Sequence, residues 1–417
     1  MLELAIVGFG NRGSTFAKIL KDEPRVKLVA IAETDEVNRK LAETEFGVDP
    51  AKCFSSADEF FAQGKICDAI VLCTQDKQHC EMAVRAMELG YDMLLEKPAA
   101  TTMDDCLKIR DTANRLGRKV MLAHGLRYAP FFYTIKKLIL GGKLGDIVTI
   151  NLTENISFWH FGLSYVRGPW RNMEQSTPTI LAKCCHDLDL ISWFMNKKCK
   201  KVSSFGSLQY FCEKNAPKGS AKYCVDCDEE TRKKCLYNPY EIYTQERAKG
   251  GTGGTRRLIG KDIKAIIDDK CDEIGKCVYH SDNDAIDHQV VNLLFEGGET
   301  AHLTMTAFSK RCYRFLKIHG TEGEVYGDVG KGILHYNPYD GEPQEIDVNN
   351  MIKTDNSAVL GHGGGDYFLF MDFLSYLLNE EKTITRTTIN ESMESHVIGF
   401  KAEESRLKGG ETLCIVE

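Results

Sequence analysis

A glycine-rich turn, Gly8-Phe9-Gly10-Asn11-Arg12-Gly13, follows the apolar run Leu2–Val7 directly and leads into a segment with Phe16, Ile19 and Leu20 at helical spacing. A strand, a turn with three glycines at these spacings and a helix constrain the fold more than anything else in the chain. Together they make the opening unit of a parallel, doubly wound sheet. Gly8 permits the tight turn, Gly10 lets the backbone approach a pyrophosphate, and Gly13 lets the helix pack against the strand. The amides of the first helical turn then face phosphate charge. The six residues Gly8, Phe9, Gly10, Asn11, Arg12 and Gly13 are therefore expected to form a dinucleotide cradle.

The same rhythm continues to residue 123. Val26–Ala32, Asp68–Thr74, Tyr91–Leu95 and Lys119–Ala123 read as strands. Val37–Phe46, Ala57–Phe61, Lys77–Leu89 and a segment from Thr102 to Leu116 read as helices, with Thr102 and Asp105 in capping-box positions. Strands alternating with helices predict a parallel sheet covered on both faces. Beyond 123 the strand candidates lengthen: Ile147–Ile156, Val202–Phe211, Thr300–Ser309 and Phe315–Tyr326. Helices fit Ile180–Phe194, Asp366–Leu378 and Asn390–Arg406. The fold class expected is α/β: a Rossmann domain over 1–123, then an α+β domain over 124–417 with an open, mainly antiparallel sheet. A polar, Cys-rich stretch, about 212–282, reads as an insertion.

Glu33 ends the second strand, where an acidic side chain accepts hydrogen bonds from ribose hydroxyls. A carboxylate there repels a 2′-phosphate and favours NAD over NADP; Arg12 or Arg39 would weaken that preference. Thr74, Gln75 and His79 follow the next strand, at the edge where open α/β sheets bind ligands. For Asp76 and His79 the competing reading is a solvated helix start. Glu96-Lys97-Pro98 ends the fifth strand. It puts one ammonium at the same edge, before a proline that restricts the backbone. A second cluster, Ala182-Lys183-Cys184-Cys185-His186-Asp187-Leu188-Asp189, falls in a helix. There Lys183, His186 and Asp189 form a polar stripe among apolar neighbours.

These motifs resemble those of the Gfo/Idh/MocA oxidoreductases over nearly the whole length. The resemblance rests on Gly8–Gly13, the segment from Thr74 to His79, Glu96-Lys97-Pro98, and His186 with Asp189. It implies a nicotinamide cofactor, NAD rather than NADP, bound by the Rossmann domain, with Glu96 and Lys97 beside it. It also implies a catalytic lysine at Lys97, a catalytic histidine at His186 supported by Lys183 and Asp189, and assembly into a homo-oligomer. Four residues before the histidine the family commonly has Asp; this chain has Ala182. Simple polyol oxidation through the usual carboxylate is thereby called into question. Arg127, Tyr128, His160, Arg167, Trp170, Arg171 and His362 offer aromatic surface and hydrogen-bond donors of the kind carbohydrate sites use.

Composition narrows the partners. A net charge of −7 argues against a nucleic-acid surface. No apolar run is long enough to span a membrane, and no basic leader is apparent, so a cytoplasmic location is expected. Sixteen cysteines then imply reduced thiols or metal ligands rather than disulfides. Cys212, Cys224, Cys227 and Cys235 include one Cys-x2-Cys spacing, which suits a structural zinc. Three functions remain open. The first is NAD-dependent oxidation of a secondary hydroxyl on a sugar, sugar derivative or cyclitol, or the reverse reduction. The second is glycoside cleavage assisted by recycled NAD. The third is a non-catalytic NAD or sugar sensor.

Overall fold

The computed structural model describes residues 1–243, 262–351 and 361–415. Its N-terminal sheet has six strands in the order β3-β2-β1-β4-β5-β6: β1 (Leu2–Val7), β2 (Val26–Ala32), β3 (Cys53–Phe54), β4 (Ala69–Leu72), β5 (Asp92–Leu95) and β6 (Val120–Leu122). Every pairing is parallel. The reversal at β1/β4 opens a crevice at the carboxyl edge, where ligands bind in such sheets. β4 is AIVL and buried throughout, as a central strand covered on both faces must be. Helix α1 (Asn11–Lys21) starts inside the glycine turn with no side-chain cap, and α2 (Glu36–Phe46) is capped by Asp35. α3 (Ala57–Phe61), α4 (His79–Glu88) and α5 (Met103–Leu116) complete the layers, and Thr102 accepts from Asp105 N–H as its sequence position implies.

The second sheet has nine strands in the order β14-β13-β12-β11-β7-β10-β9-β8-β15, the last being Leu413–Cys414. Only β7 (Ile147–Ser157) with β10 (Thr300–Ser309) is parallel; the other pairings are antiparallel. The stretch Phe315–Tyr326, read as one strand, is two: β11 (Tyr313–Gly320) and β12 (Gly323–Asp328) turn at Thr321-Glu322. β8 (Cys199–Ser207) stops short of Phe211. β9 (His288–Phe295), β13 (Ile333–Pro338) and β14 (Gln344–Asp347) carry too weak an alternation to stand out in the sequence. The inner face, with Ile150, Leu152, Leu303, Met305, Leu316 and Ile318, packs on α6 (Pro130–Leu140) and on α8 (Thr179–Met195), which follows the short α7 (Phe158–Phe161).

A boundary at 123/124 divides the sheets but not the cores. The helix Gly365–Leu377 returns to the N-terminal sheet and buries Leu369, Phe370, Phe373 and Leu374 with Leu4, Ile6 and Phe16. The helix Ile389–Leu407 adds Ile389 and Met393 to the opposite face, and Leu122 N–H donates to Thr387 O. The C-terminal segments thus lock the crevice between the two sheets. Among the described residues no helix is long and apolar enough to cross a membrane.

Candidate active site

The glycine cradle fits a dinucleotide. A Cβ on Gly13 would meet Gly8 O at 2.2 Å and one on Gly8 would meet Cys73 O at 2.6 Å, whereas a Cβ on Gly10 would meet nothing within 4 Å. The first two glycines let strand and helix close up; the third faces open space at an uncapped helix N-terminus. Phe9 contributes its backbone: N–H donates to Glu33 Oε2 at 2.7 Å, while its ring is core, edge-on to Phe46. Asp35 N–H donates to Glu33 Oε1 at 2.9 Å, and Arg39 donates to the carbonyls of Glu33 and Thr34. The Glu33 carboxylate is therefore fixed at the end of β2, where a ribose would meet it.

Arg12 turns across the crevice. Nε donates to Glu96 Oε1 at 2.5 Å and the two Nη atoms grip Asp366 at 2.7 and 3.0 Å. Glu96 also accepts from Lys97 N–H. Burial opposes the charge on Asp366, but Arg12 and then His362 outweigh it and hold the carboxyl far below its ordinary value. Asp76 and His79 are buried, not solvated. Asp76 accepts from Trp170 Nε1 (3.1 Å) and Ser176 Oγ (2.8 Å), and His79 lies between Pro98 O and Thr74 O. Gln75 is exposed.

Lys97 reaches from the end of β5 to α8, where Nζ donates to Ala182 O at 3.0 Å. With a methyl group where a carboxylate would have stood, the ammonium meets the main chain. His186 lies one turn further along the same face. Its ring is 3% exposed and neither nitrogen has a hydrogen-bond partner. Burial first, then His362 and Lys97, depress its pKa well below that of a free imidazole. His124, at the carboxyl end of β6, shares this condition: it is fully buried, both nitrogens lack partners, and its pKa is lowered to about 3 chiefly by burial. Its ring centroid is 5.4 Å from that of His186 and 5.6 Å from that of His396. His362 lies 5.0 Å from His186. Thr74 Oγ1 is a further buried atom without a partner. His160, beside the ammonium groups of Lys183 and Lys97, is lowered to about 3, again mainly by burial.

The other candidates are committed elsewhere. Arg127 and Asp189 pair bidentately, Nε–Oδ2 2.7 Å and Nη2–Oδ1 2.6 Å, both buried. The structure thus places Asp189, expected to support the catalytic histidine, and Arg127, expected at the substrate, in an ion pair with each other. Lys183 sits 3.1 Å from Glu154, which also meets Arg314, and Arg314 binds Asp187. Lys183 thus has a carboxylate after all, from β7 and not from its own helix. Tyr128 donates to Asp372, and Arg171 is held by Asp282 and Glu273. Arg167, 1% exposed, donates to Lys276 O, Tyr237 O, Tyr243 Oη and Cys224 Sγ, so it is a strut for the insertion rather than a substrate contact. Trp170 spends its N–H on Asp76.

The zinc expectation is overturned. Among the described residues no three His, Cys, Asp or Glu side chains are drawn up as a metal's ligand set. Cys224, Cys227 and Cys235 line a small cavity with Cys277, while Cys212 lies outside it and donates to Gln209 O. The insertion has its own means of order: an apolar cluster of Leu163, Ile242, Tyr243, Ile267 and Ile274, and the hub at Arg167. Residues 244–261 of it lie outside the described residues.

His124, His396, Asp366 and Glu154 escaped the sequence reading. Only His124 left a signal, its place at the carboxyl end of a Rossmann strand. The others are joined by long-range packing.

Residues 2–124 match the oxidoreductase family's NAD-binding Rossmann fold, and residues 136–409 its C-terminal α/β domain. YteT of Bacillus subtilis, named as an oxidoreductase, is 25% identical over 321 residues, 73% of this chain and 71% of that protein. An α-N-acetylgalactosaminidase of Bacteroides fragilis is 31% identical over 156 residues, 36% of each chain. Among solved structures, the WlbA dehydrogenase of Bordetella pertussis, in complex with NADH and UDP-GlcNAcA, superposes with a TM-score of 0.70 at 16% identity, covering 100% of this chain and 98% of that one. The chain belongs to the Gfo/Idh/MocA family of NAD-binding oxidoreductases.

Proposed function

We propose that the protein oxidises a secondary hydroxyl of a sugar, sugar derivative or cyclitol with NAD, or performs the reverse reduction. One observation carries this reading: two buried imidazoles, His186 and His124, have no partner on any nitrogen beside the Lys97 ammonium, at the carboxyl edge of the sheet. Buried polar groups left unmade cost about 1–3 kcal/mol each, which supports a role for these two in binding or chemistry. When bound, NAD supplies the hydride acceptor. Glu33 receives the ribose hydroxyls and disfavours a 2′-phosphate. Lys97 donates to the substrate oxygen and stabilises charge that develops there. His186, held neutral by burial, accepts the hydroxyl proton as general base. The ion pairs of Lys183 and Asp189 keep α8 in place.

The test is NADH binding by fluorescence, followed by NAD reduction with a panel of aldoses, uronic acids, nucleotide sugars and inositols. Turnover in wild type and its loss in Lys97→Met, with NADH still bound, supports the reading; unchanged turnover in the variant contradicts it.

The likeness to the Bacteroides fragilis glycosidase favours a second reading, glycoside cleavage with NAD regenerated in each cycle. Glycoside consumption without net NADH distinguishes it. Phe205, Leu294 and Phe315 stand exposed on the outer face of the nine-stranded sheet and support a homo-oligomer, which light scattering measures directly.

A further inference from the structure

His362 is the one imidazole of the cluster that meets both the buried base and solvent. Its side chain is 28% exposed, and its ring centroid lies 5.0 Å from that of His186. At that separation a nitrogen of one ring comes within hydrogen-bond reach of the other when the rings turn edge to edge. Nδ1 of His362 is 2.9 Å from Asp366 Oδ1. The carboxylate, charged and gripped by Arg12, can only accept, so it fixes the proton on Nδ1 and leaves Nε2 as the acceptor. The backbone is arranged for this pose. His362 sits at φ 51°, inside a run in which Gly363 and Gly364 also have positive φ, and Asp366 opens the helix that follows. A non-glycine residue in the left-handed region is a strained choice, of the kind that clusters at functional sites. His186, by contrast, is only 3% exposed. A proton placed on it would remain in a site that burial has made hostile to charge.

We infer that His362, oriented by Asp366, relays the substrate proton from His186 to solvent. The inference rests on the oxidoreductase reading above. In the oxidation, the substrate O–H bond breaks and its proton goes to one nitrogen of His186. The proton on the other nitrogen of His186 passes to Nε2 of His362 and from there to water. The C–H electron pair leaves as hydride to the nicotinamide, and C=O forms. Asp366 stays ionised throughout and acts by position. The charges facing His362 are Asp366 on its own segment, Arg12 from the glycine turn through that carboxylate, and His186 from α8.

The test uses the full chain loaded with NADH and treated with diethyl pyrocarbonate, which acylates unprotonated imidazole nitrogens open to solvent. Peptide mapping is expected to show His362 acylated at least several-fold faster than His124, His186 and His396 with NADH bound, since the relay needs His362 open to solvent in the loaded protein. Equal rates at the four histidines, or a His362 acylation abolished by NADH, overturn the inference whatever the substrate. The second arm is His362→Asn, a residue that accepts the left-handed backbone. Its NADH affinity is expected to stay at the wild-type value. Its turnover of the panel alcohol oxidised fastest is expected to fall on the order of 10²-fold and to be partly restored by free imidazole. Wild-type turnover, or a loss that imidazole does not touch, contradicts the relay. Absence of turnover in wild type counts against the oxidoreductase reading, while the acylation map still decides the placement of His362.

Discussion

Two sets of polar groups sit within a few turns of each other on α8, and they are treated in opposite ways. Asp189, Asp187 and Lys183 each have a buried partner of opposite charge, in Arg127, Arg314 and Glu154. His186, between them on the same helix, has none, nor does His124 across the crevice. The paired groups anchor α8, to β7 and β11 through Glu154 and Arg314 and to the segment after β6 through Arg127. The unpaired ones are kept at a cost in stability, and that cost is what supports the proposed site. In sequence Lys183, His186 and Asp189 look alike, as one polar stripe; only their partners set them apart.

That contrast breaks most sharply in a pair of substitutions. Asp189→Leu strands the Arg127 guanidinium in the interior and is expected to cost about 3–5 kcal/mol in urea unfolding. His186→Leu removes two unsatisfied nitrogens and keeps the volume filled. Its stability is expected to hold or rise by about 1 kcal/mol while turnover disappears. A destabilised His186→Leu would mean that the imidazole has a structural partner. Next in size, Lys97→Met is expected to lower turnover on the order of 10²-fold without affecting NADH affinity.

The same contrast governs pH. Burial lowers the pKa of His124, His160, His186 and His396 in the folded chain. Below about pH 6.5 the unfolded chain binds those protons and the folded one does not, so stability falls as pH drops through that value. Thermal melts from pH 7.5 to 5 are expected to show a declining Tm, and a smaller decline in His186→Leu. Two glycine substitutions sharpen the cradle. Gly10→Ala is expected to fold normally, since its Cβ meets nothing, and to weaken NADH binding; Gly13→Ala, with a Cβ 2.2 Å from Gly8 O, is expected not to fold.

The N-terminal sheet was legible in sequence because its signals are local. The glycine turn, the apolar runs and the Thr102 cap each lie within a few residues. The crevice was half legible. Lys97, His186 and Glu33 are marked by their places at strand ends and on a helix face. The partner of Asp189 was not legible, because Arg127 comes from the segment after β6, far off in sequence. His362 was visible only as a histidine among glycines; Asp366 lies four residues on, but the contact with His186 required the return of the helix Gly365–Leu377. The zinc reading failed for the same reason: cysteine spacing is local, whereas the order of the insertion comes from Arg167 and an apolar cluster drawn from distant segments.

The most direct test is a crystal structure of the protein with NADH. The account predicts the pyrophosphate against the Gly8–Gly13 turn, and the nicotinamide facing Lys97 and His186 across a gap that one carbinol carbon fills. A ring that lies elsewhere, or His186 sealed from it by protein atoms, would contradict it.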